Sequence, residues 1–325
     1  MTDDGLIFAY RLDGQGGGTP LSLAEVTTLP QPTDPWVWAH FDGSTAAAKA
    51  WLEQESGLPA LVIAALLKER TRPRVEVFEE EGVLINLRGT NSAENAVPED
   101  MVSVRLWISG RRVITVRLRP LRTVNDLRDR IEAHVGPRSG GDVLTSLALS
   151  LIDRMSPILE ALNIQLDLAE DSLIHQPKLD LRRRIVTVRR RVIMMRRHIA
   201  PQREVVAVLK NSHATWFTVN DRRHLHEAYD RMALYVDDLD TMRERSQIIQ
   251  DELTSYMNAR LNRNTYLLSL IASIFLPLTF VTGLFGINVG GIPGSDNPSA
   301  FGWFVGSLVV VMVIQFVVLR AIKWF

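Results

Sequence analysis

Two stretches near the end of the chain are apolar from end to end. Tyr266 to Phe285 reads YLLSLIASIFLPLTFVTGLF, with no charged residue. As a helix it is roughly 30 Å long, the thickness of a bilayer's hydrocarbon core. Phe301 to Leu319, FGWFVGSLVVVMVIQFVVL, is nearly as long. Core helices of soluble proteins are usually shorter and amphipathic. The pattern therefore predicts two transmembrane spans, 266–285 and 301–322, joined by a short loop, 286–300.

Upstream the periodicity is mixed. Runs rich in β-branched and aromatic residues at Trp36–Phe41, Val75–Phe78, Val83–Leu87, Val102–Ile108 and Val113–Leu118 read as strands. Ser109-Gly110-Arg111-Arg112 between the last two reads as a hairpin turn. Helical spacing falls at Thr45–Glu55, Pro59–Leu67 and Val124–His134. These make an α/β domain over residues 1–140, with GPRSGG at 136–141 as its boundary. The glycines of GQGGG at 14–18 read as a flexible turn, since no Gly-Lys-Ser/Thr follows to make a phosphate loop.

From Asp142 the pattern is wholly helical. Leu147, Leu151, Ile158, Leu162 and Leu166 place one helix from 142 to about 176. A second runs from an N-cap at Asp180 to about Lys210, disturbed at Pro201. Together they form a hairpin over 141–220. A third starts near Asp221 and meets no breaker before Pro277. Continued to Phe285, it is a single helix of roughly 100 Å that runs into the first span. Pro277 itself admits two readings, a tolerated kink or a gating hinge.

Charge sharpens this picture. Acidic and basic residues balance at 37 each, yet none lies between Arg263 and Asp296 or between Asp296 and Arg320. Arg260 and Arg263 precede the first span, and Arg320 and Lys323 follow the second. The connecting loop carries no Lys or Arg, so the positive-inside rule puts both termini in the cytoplasm. Trp303 and Trp324 sit where interfacial aromatics are expected. The acidic N-terminus does not read as a signal peptide. With no cysteine, disulfides and thiolate metal sites are excluded. The second helix is crowded with arginines and the third with carboxylates, which favours their pairing with each other, within or between subunits, over nucleic acid or anionic lipid as the partner.

Two helices cannot enclose a channel, so conduction requires several copies around a shared axis. Gly283, Gly286, Gly302, Gly306 and Ser307 would allow close helix approach. Traced back from the loop at 3.6 spacing, one stripe of the long helix carries Thr279, Leu276, Ala272, Leu268, Thr265, Leu261, Asn258, Thr254, Asp251 and Gln247. Thr279 and Thr265 offer hydroxyls, Leu276 and Leu268 suit hydrophobic gates, and Asp251 suits a ring of carboxylates that gathers cations in a vestibule. The alternative is that this stripe packs against neighbouring helices.

Gly286-Ile287-Asn288 resembles the Gly-x-Asn signature that closes the first span of the CorA superfamily. Magnesium and cobalt members usually carry Gly-Met-Asn. Here Ile287 and the following GGIPG resemble the ZntB zinc-transporter branch, as do Thr71-Arg72-Pro73-Arg74-Val75 and Met195 to Arg203, MRRHIAPQR. The resemblance implies a CorA-like fold, an α/β cytoplasmic domain and long helices forming a funnel above two spans. It implies a homopentamer in the bacterial inner membrane, with the first span lining the pore. It further implies that five Asn288 side chains touch the hydration water of the incoming ion. The cargo it implies is zinc, with cadmium, nickel, cobalt or magnesium as further ions, protons as a coupled species, and no cofactor.

The residues alone do not single out zinc. The seven histidines are scattered, and His224 and His226 are two apart, which points them in different directions on a helix. The first span has no ionisable group to relay a proton. A magnesium or cobalt channel is therefore the alternative function. A membrane-anchored sensor or enzyme is a second, although no nucleophile, carboxylate pair or phosphate loop supports catalysis.

Overall fold

The structure, a computed structural model, describes residues 4–28, 30–31, 33–78, 82–91, 97, 99–175, 179–212, 214–287, 292, 294 and 297–321. By its internal contacts the chain separates into two units, Met1–Gln250 and Asp251–Phe325.

The first unit is built on a sheet of seven strands: β1 (Leu6–Leu12), β2 (Gly18–Pro20), β3 (Val37–Asp42), β4 (Arg74–Phe78), β5 (Gly82–Gly89), β6 (Val102–Ser109) and β7 (Arg112–Arg117). Their order across the sheet is β2-β1-β3-β7-β6-β5-β4. Only β3 and β7 are parallel, Trp38 lying opposite Val113 and Phe41 opposite Val116. The β6–β7 hairpin turns at Gly110, whose φ of +55° is a conformation that costs glycine least. Side chains alternate along the strands. Val37, Ala39 and Phe41 of β3 face a core shared with α1 (Leu23–Thr27), α2 (Ala46–Gln54) and α3 (Ala60–Leu67), where Phe41 stacks on Trp51. Trp38 and His40 face the other way. There the Trp38 Nε1–H donates to Thr115 Oγ1 at 3.0 Å, and His40 Nδ1 lies 2.8 Å from the same hydroxyl.

Four more helices and the first part of a fifth, up to Gln250, complete this unit: α4 (Arg122–Glu132), α5 (Gly140–Asp153), α6 (Ser156–His175), α7 (Leu179–Lys210) and the start of α8 (Val219–Phe285). The 136–141 stretch lies inside the unit, where a side chain at Gly140 would strike the Trp36 ring. In all α8 runs for 67 residues, and α9 (Ala300–Ala321) for 22. α6 and α7 pack as a hairpin.

Several elements differ from the sequence pattern. The first thirty residues, for which the pattern marked no element, supply β1, β2 and α1. The glycine run is the β1–β2 turn, ordered by Asp13, whose carboxylate accepts from the Gln15 and Gly17 N–H groups at 2.7 and 2.9 Å. These bonds hold the Asp13 pKa below the ordinary carboxylate value. The expected helix over 142–176 is two helices, α5 and α6. Pro157 explains the break: its ring excludes the carbonyl of Asp153, the last residue of α5, and suits the first turn of α6. Asp180 lies in the first turn of α7, since the helix already begins at Leu179. Pro201, by contrast, sits within a continuous α7.

The charged helices pair with each other only in part. Arg196 of α7 forms a two-bond contact with Asp240 of α8, at 2.6 and 2.9 Å. Arg189 of α7 also donates to Gln250 of α8 at 3.0 Å, and further ties of the acidic helix run through its own arginines. Arg245 binds Glu170, Asp167 and Asn163 of α6, and Arg231 binds Asp153 of α5. Arg191 of α7 reaches Glu99, outside the helices.

Candidate ion-conduction pathway

In the second unit α9 lies against one side of α8. Leu270, Ser273, Ile274, Pro277, Leu278 and Val281 are the half-buried positions of α8. Across from them are Phe304, Leu308, Val311, Gln315 and Leu319, spaced three and four residues apart on α9. The Phe285 and Phe304 rings meet at 5.0 Å. Pro277 has no N–H for the Ser273 carbonyl one turn back. The Gln315 Nε2–H donates to that oxygen at 3.5 Å, so an amide from α9 meets a carbonyl that the proline frees. Sequence reasoning missed Gln315. Its signal was a lone amide in an uncharged span facing a proline-containing one.

The stripe predicted to line a pore occupies the opposite side. At about 100° per residue, Thr279, Leu276, Ala272, Leu268, Thr265, Leu261, Asn258, Thr254 and Asp251 cluster about half a turn away from the α9-covered face. All nine are exposed, including Leu261 at 64%, Leu268 at 68% and Leu276 at 69%, whereas Gln247, the tenth residue of the stripe, is half-buried. Only Ala272, Leu276 and Thr279 lie opposite a face that α9 covers; from Thr254 to Ser269 every residue of α8 is exposed, so there the strip is open together with the rest of the helix. The most apolar 18-residue windows of α8 and α9 are 0% and 6% buried, with mean hydropathies of 2.1 and 2.4. That exposure excludes the role of core helices and matches a surface that meets lipid or another copy.

At the end of α8, the Gly286 N–H bonds the carbonyls of Thr282 and Gly283 at 3.0 and 3.1 Å and closes the last turn. A Cβ at Gly286 would stand 3.1 Å from the Thr282 oxygen, a tight fit that glycine avoids. Ile287 is half exposed, and Asn288 lies outside the described residues. So do Asp296, Lys323 and Trp324. At Gly283, Gly302 and Gly306 an added Cβ would meet nothing within 4 Å, so these small residues are not what brings α8 and α9 together. Among the described residues, no three His, Asp or Glu side chains gather as metal ligands.

Residues 34–321 match the family described as CorA-like Mg2+ transporter protein. The chain belongs to this family. A divalent cation transporter from Pseudomonas aeruginosa, CmaX, is 38% identical over 98% of this chain and 97% of its own. The zinc transport protein ZntB of Pectobacterium atrosepticum is 36% identical over 100% of this chain and 97% of its own. The solved structure of full-length CmaX superposes with a TM-score of 0.85 over 99% of this chain and 98% of that one, at 36% identity. The complete CorA magnesium transporter of Methanocaldococcus jannaschii, at 20% identity, shares the fold with a TM-score of 0.79 over 98% of both chains. This member of the CorA-like family is accordingly a transmembrane transporter of divalent cations, with α8 and α9 as its apolar spans.

Proposed function

We propose that the chain carries zinc across the bacterial cytoplasmic membrane through a pore enclosed by five copies. The observation that carries this reading is the open α8 strip from Asp251 to Thr279, whose outer part, Ala272 to Thr279, lies on the side away from α9. One strip per chain is a wall that only symmetry can close. In the closed ring Leu268 and Leu276 form apolar collars, the Thr265 and Thr279 hydroxyls lie between and beyond them, and Asp251 supplies a carboxylate ring on the cytoplasmic side. Gly286, Ile287 and Asn288 form the outer mouth, where the Asn288 carboxamide oxygen accepts from cation-bound water. Both termini are cytoplasmic, because the basic flanks of the spans lie there. Zinc leads because of the ZntB relatives; cadmium, nickel and cobalt are further ions of this reading, and inward proton flow is the proposed driving force. No cofactor takes part. A magnesium or cobalt channel is the second reading, favoured by the family's description.

Proteoliposomes loaded with a metal-responsive dye test these readings. Zinc influx that rises with an inward proton gradient is expected, with little magnesium influx. Magnesium flux that exceeds zinc flux and ignores the gradient would establish the second reading. Asn288→Ala should assemble normally yet transport poorly, and wild-type flux in that variant would remove Asn288 from the pathway.

A further inference from the structure

The two segments Thr71–Val75 and Met195–Arg203 lie about 120 residues apart in the chain, and the fold brings them together. One side of the second segment is structural. Met195, Ile199 and Gln202 are fully buried. Gln202 bonds the Arg88 backbone in both directions, accepting from its N–H at 2.6 Å and donating to its carbonyl at 3.1 Å. β4 pairs with β5 no farther than Asn86, so the glutamine amide takes the place of a strand at Arg88. Asn86 in turn holds the first segment, donating to Thr71 Oγ1 and to the Arg72 carbonyl at 2.7 and 2.6 Å.

The other side of α7 is not consumed by packing. With the start of β4 it lines an open cavity of about 630 Å3. Four arginines line this cavity: Arg74, Arg196, Arg197 and Arg203. The single carboxylate in its wall, Glu204, is already held by Arg203 at 2.8 Å. Arg74 is engaged by Glu76, and Arg196 by Asp240. Among the described residues Arg197 has no acidic partner, and it is exposed. The rest of the wall is apolar, from Val75, Ala200, Val205 and Val208, with Pro73 and Pro201 beside them. Next to the cavity, His198 is held neutral down to about pH 4, by burial first and then by Arg88 and Arg197.

We propose that this cavity binds a phosphorylated, nucleotide-sized anion, its phosphates on Arg197 and Arg74 and its planar or apolar body against Val75 and Val208. Guanidinium forks match phosphate oxygens. A volume of about 630 Å3 falls in the range of small-molecule sites. Bare inorganic ions would leave the apolar wall uncovered. The proposal is independent of which metal is transported.

The test is a titration of the full-length protein in detergent with ATP, in EDTA so that no divalent cation enters the equilibrium. Adenosine is the phosphate-free control. Saturable ATP binding is expected, weakening steeply with salt, and adenosine should bind far less. Arg197→Ala alters an exposed side chain and should leave folding intact. It should weaken ATP binding about tenfold, since one charge-assisted contact is lost. Arg74→Ala should act in the same direction, and Val208→Asp, at an exposed wall position, should abolish binding in a protein whose melting is monitored alongside. Absence of saturable ATP binding, equal binding of adenosine, or wild-type affinity in both arginine variants would each overturn the proposal.

Discussion

At the scale of single residues, the first unit carries two histidines that the fold keeps uncharged. His40 is fully buried beside Thr115, and its pKa is pushed down to about 3 by burial and then by Arg117. His198 is pushed down to about 4. In the unfolded chain a histidine titrates near 6.5. The unfolded state therefore binds protons between about pH 6.5 and 4 that the folded state refuses. Stability is complete above that window and falls as pH drops through it. For a buried site such as His40 the slope approaches about 1.4 kcal/mol per pH unit. Thermal melts of the detergent-solubilised protein at pH 7.5, 6.5 and 5.5 should show this decline. His198→Asn removes one titrating group and should make the decline shallower. An identical decline in that variant would mean that His198 accepts its proton freely in the folded state.

At the scale of elements, prolines decide where helices stop and what their neighbours must supply. Pro157 ends a helix that the hydrophobic pattern runs straight through. Pro201 and Pro277 sit inside continuous helices. At Pro277 the freed Ser273 carbonyl is met by Gln315. Gln315→Leu should therefore weaken the α8–α9 hairpin by about 1 kcal/mol, the scale of a hydrogen bond between membrane helices. Pro277→Ala restores the helical N–H, so the same change should cost much less in that background. A double-mutant cycle on unfolding in mixed micelles measures this. Equal cost of Gln315→Leu in both backgrounds would separate the amide from the proline. Charge reading by element was less reliable. α8 is acidic in sum, yet its Arg231 and Arg245 make most of its ties to α5 and α6, because an ion pair depends on individual positions and not on a helix's net charge.

At the scale of the whole molecule, the proposed pore gives the α8 strip its role only when copies surround it. Leu268 and Leu276 are more than two-thirds exposed in the single chain. If the assembly brings them to a common axis, they form collars that resist wetting. Replacing both with alanine should raise resting cation leak in liposomes, while the oligomer stays intact by native mass spectrometry. Unchanged leak with an intact oligomer would place these side chains against neighbouring helices.

How much of this was legible in the sequence follows from how local each cause is. The spans could be read directly, because hydrocarbon thickness acts on consecutive residues and excludes charge from each of them. The strands of the β3–β7 region could be read from their own composition, and the CorA-like family from Gly286-Ile287-Asn288 together with its position before the last span. The stripe from Asp251 to Thr279 could be traced from helical period alone. Only tertiary structure decided that Ala272, Leu276 and Thr279 of this stripe lie on the face α9 leaves open, because the covered face depends on a partner that joins α8 beyond a loop. The same holds for the parallel pairing of β3 with β7 and for Gln202 replacing a strand at Arg88. It holds also for the arginine-lined cavity between residues 73–75 and 196–208. Each of these rests on groups distant in the chain, whose meeting no local pattern records.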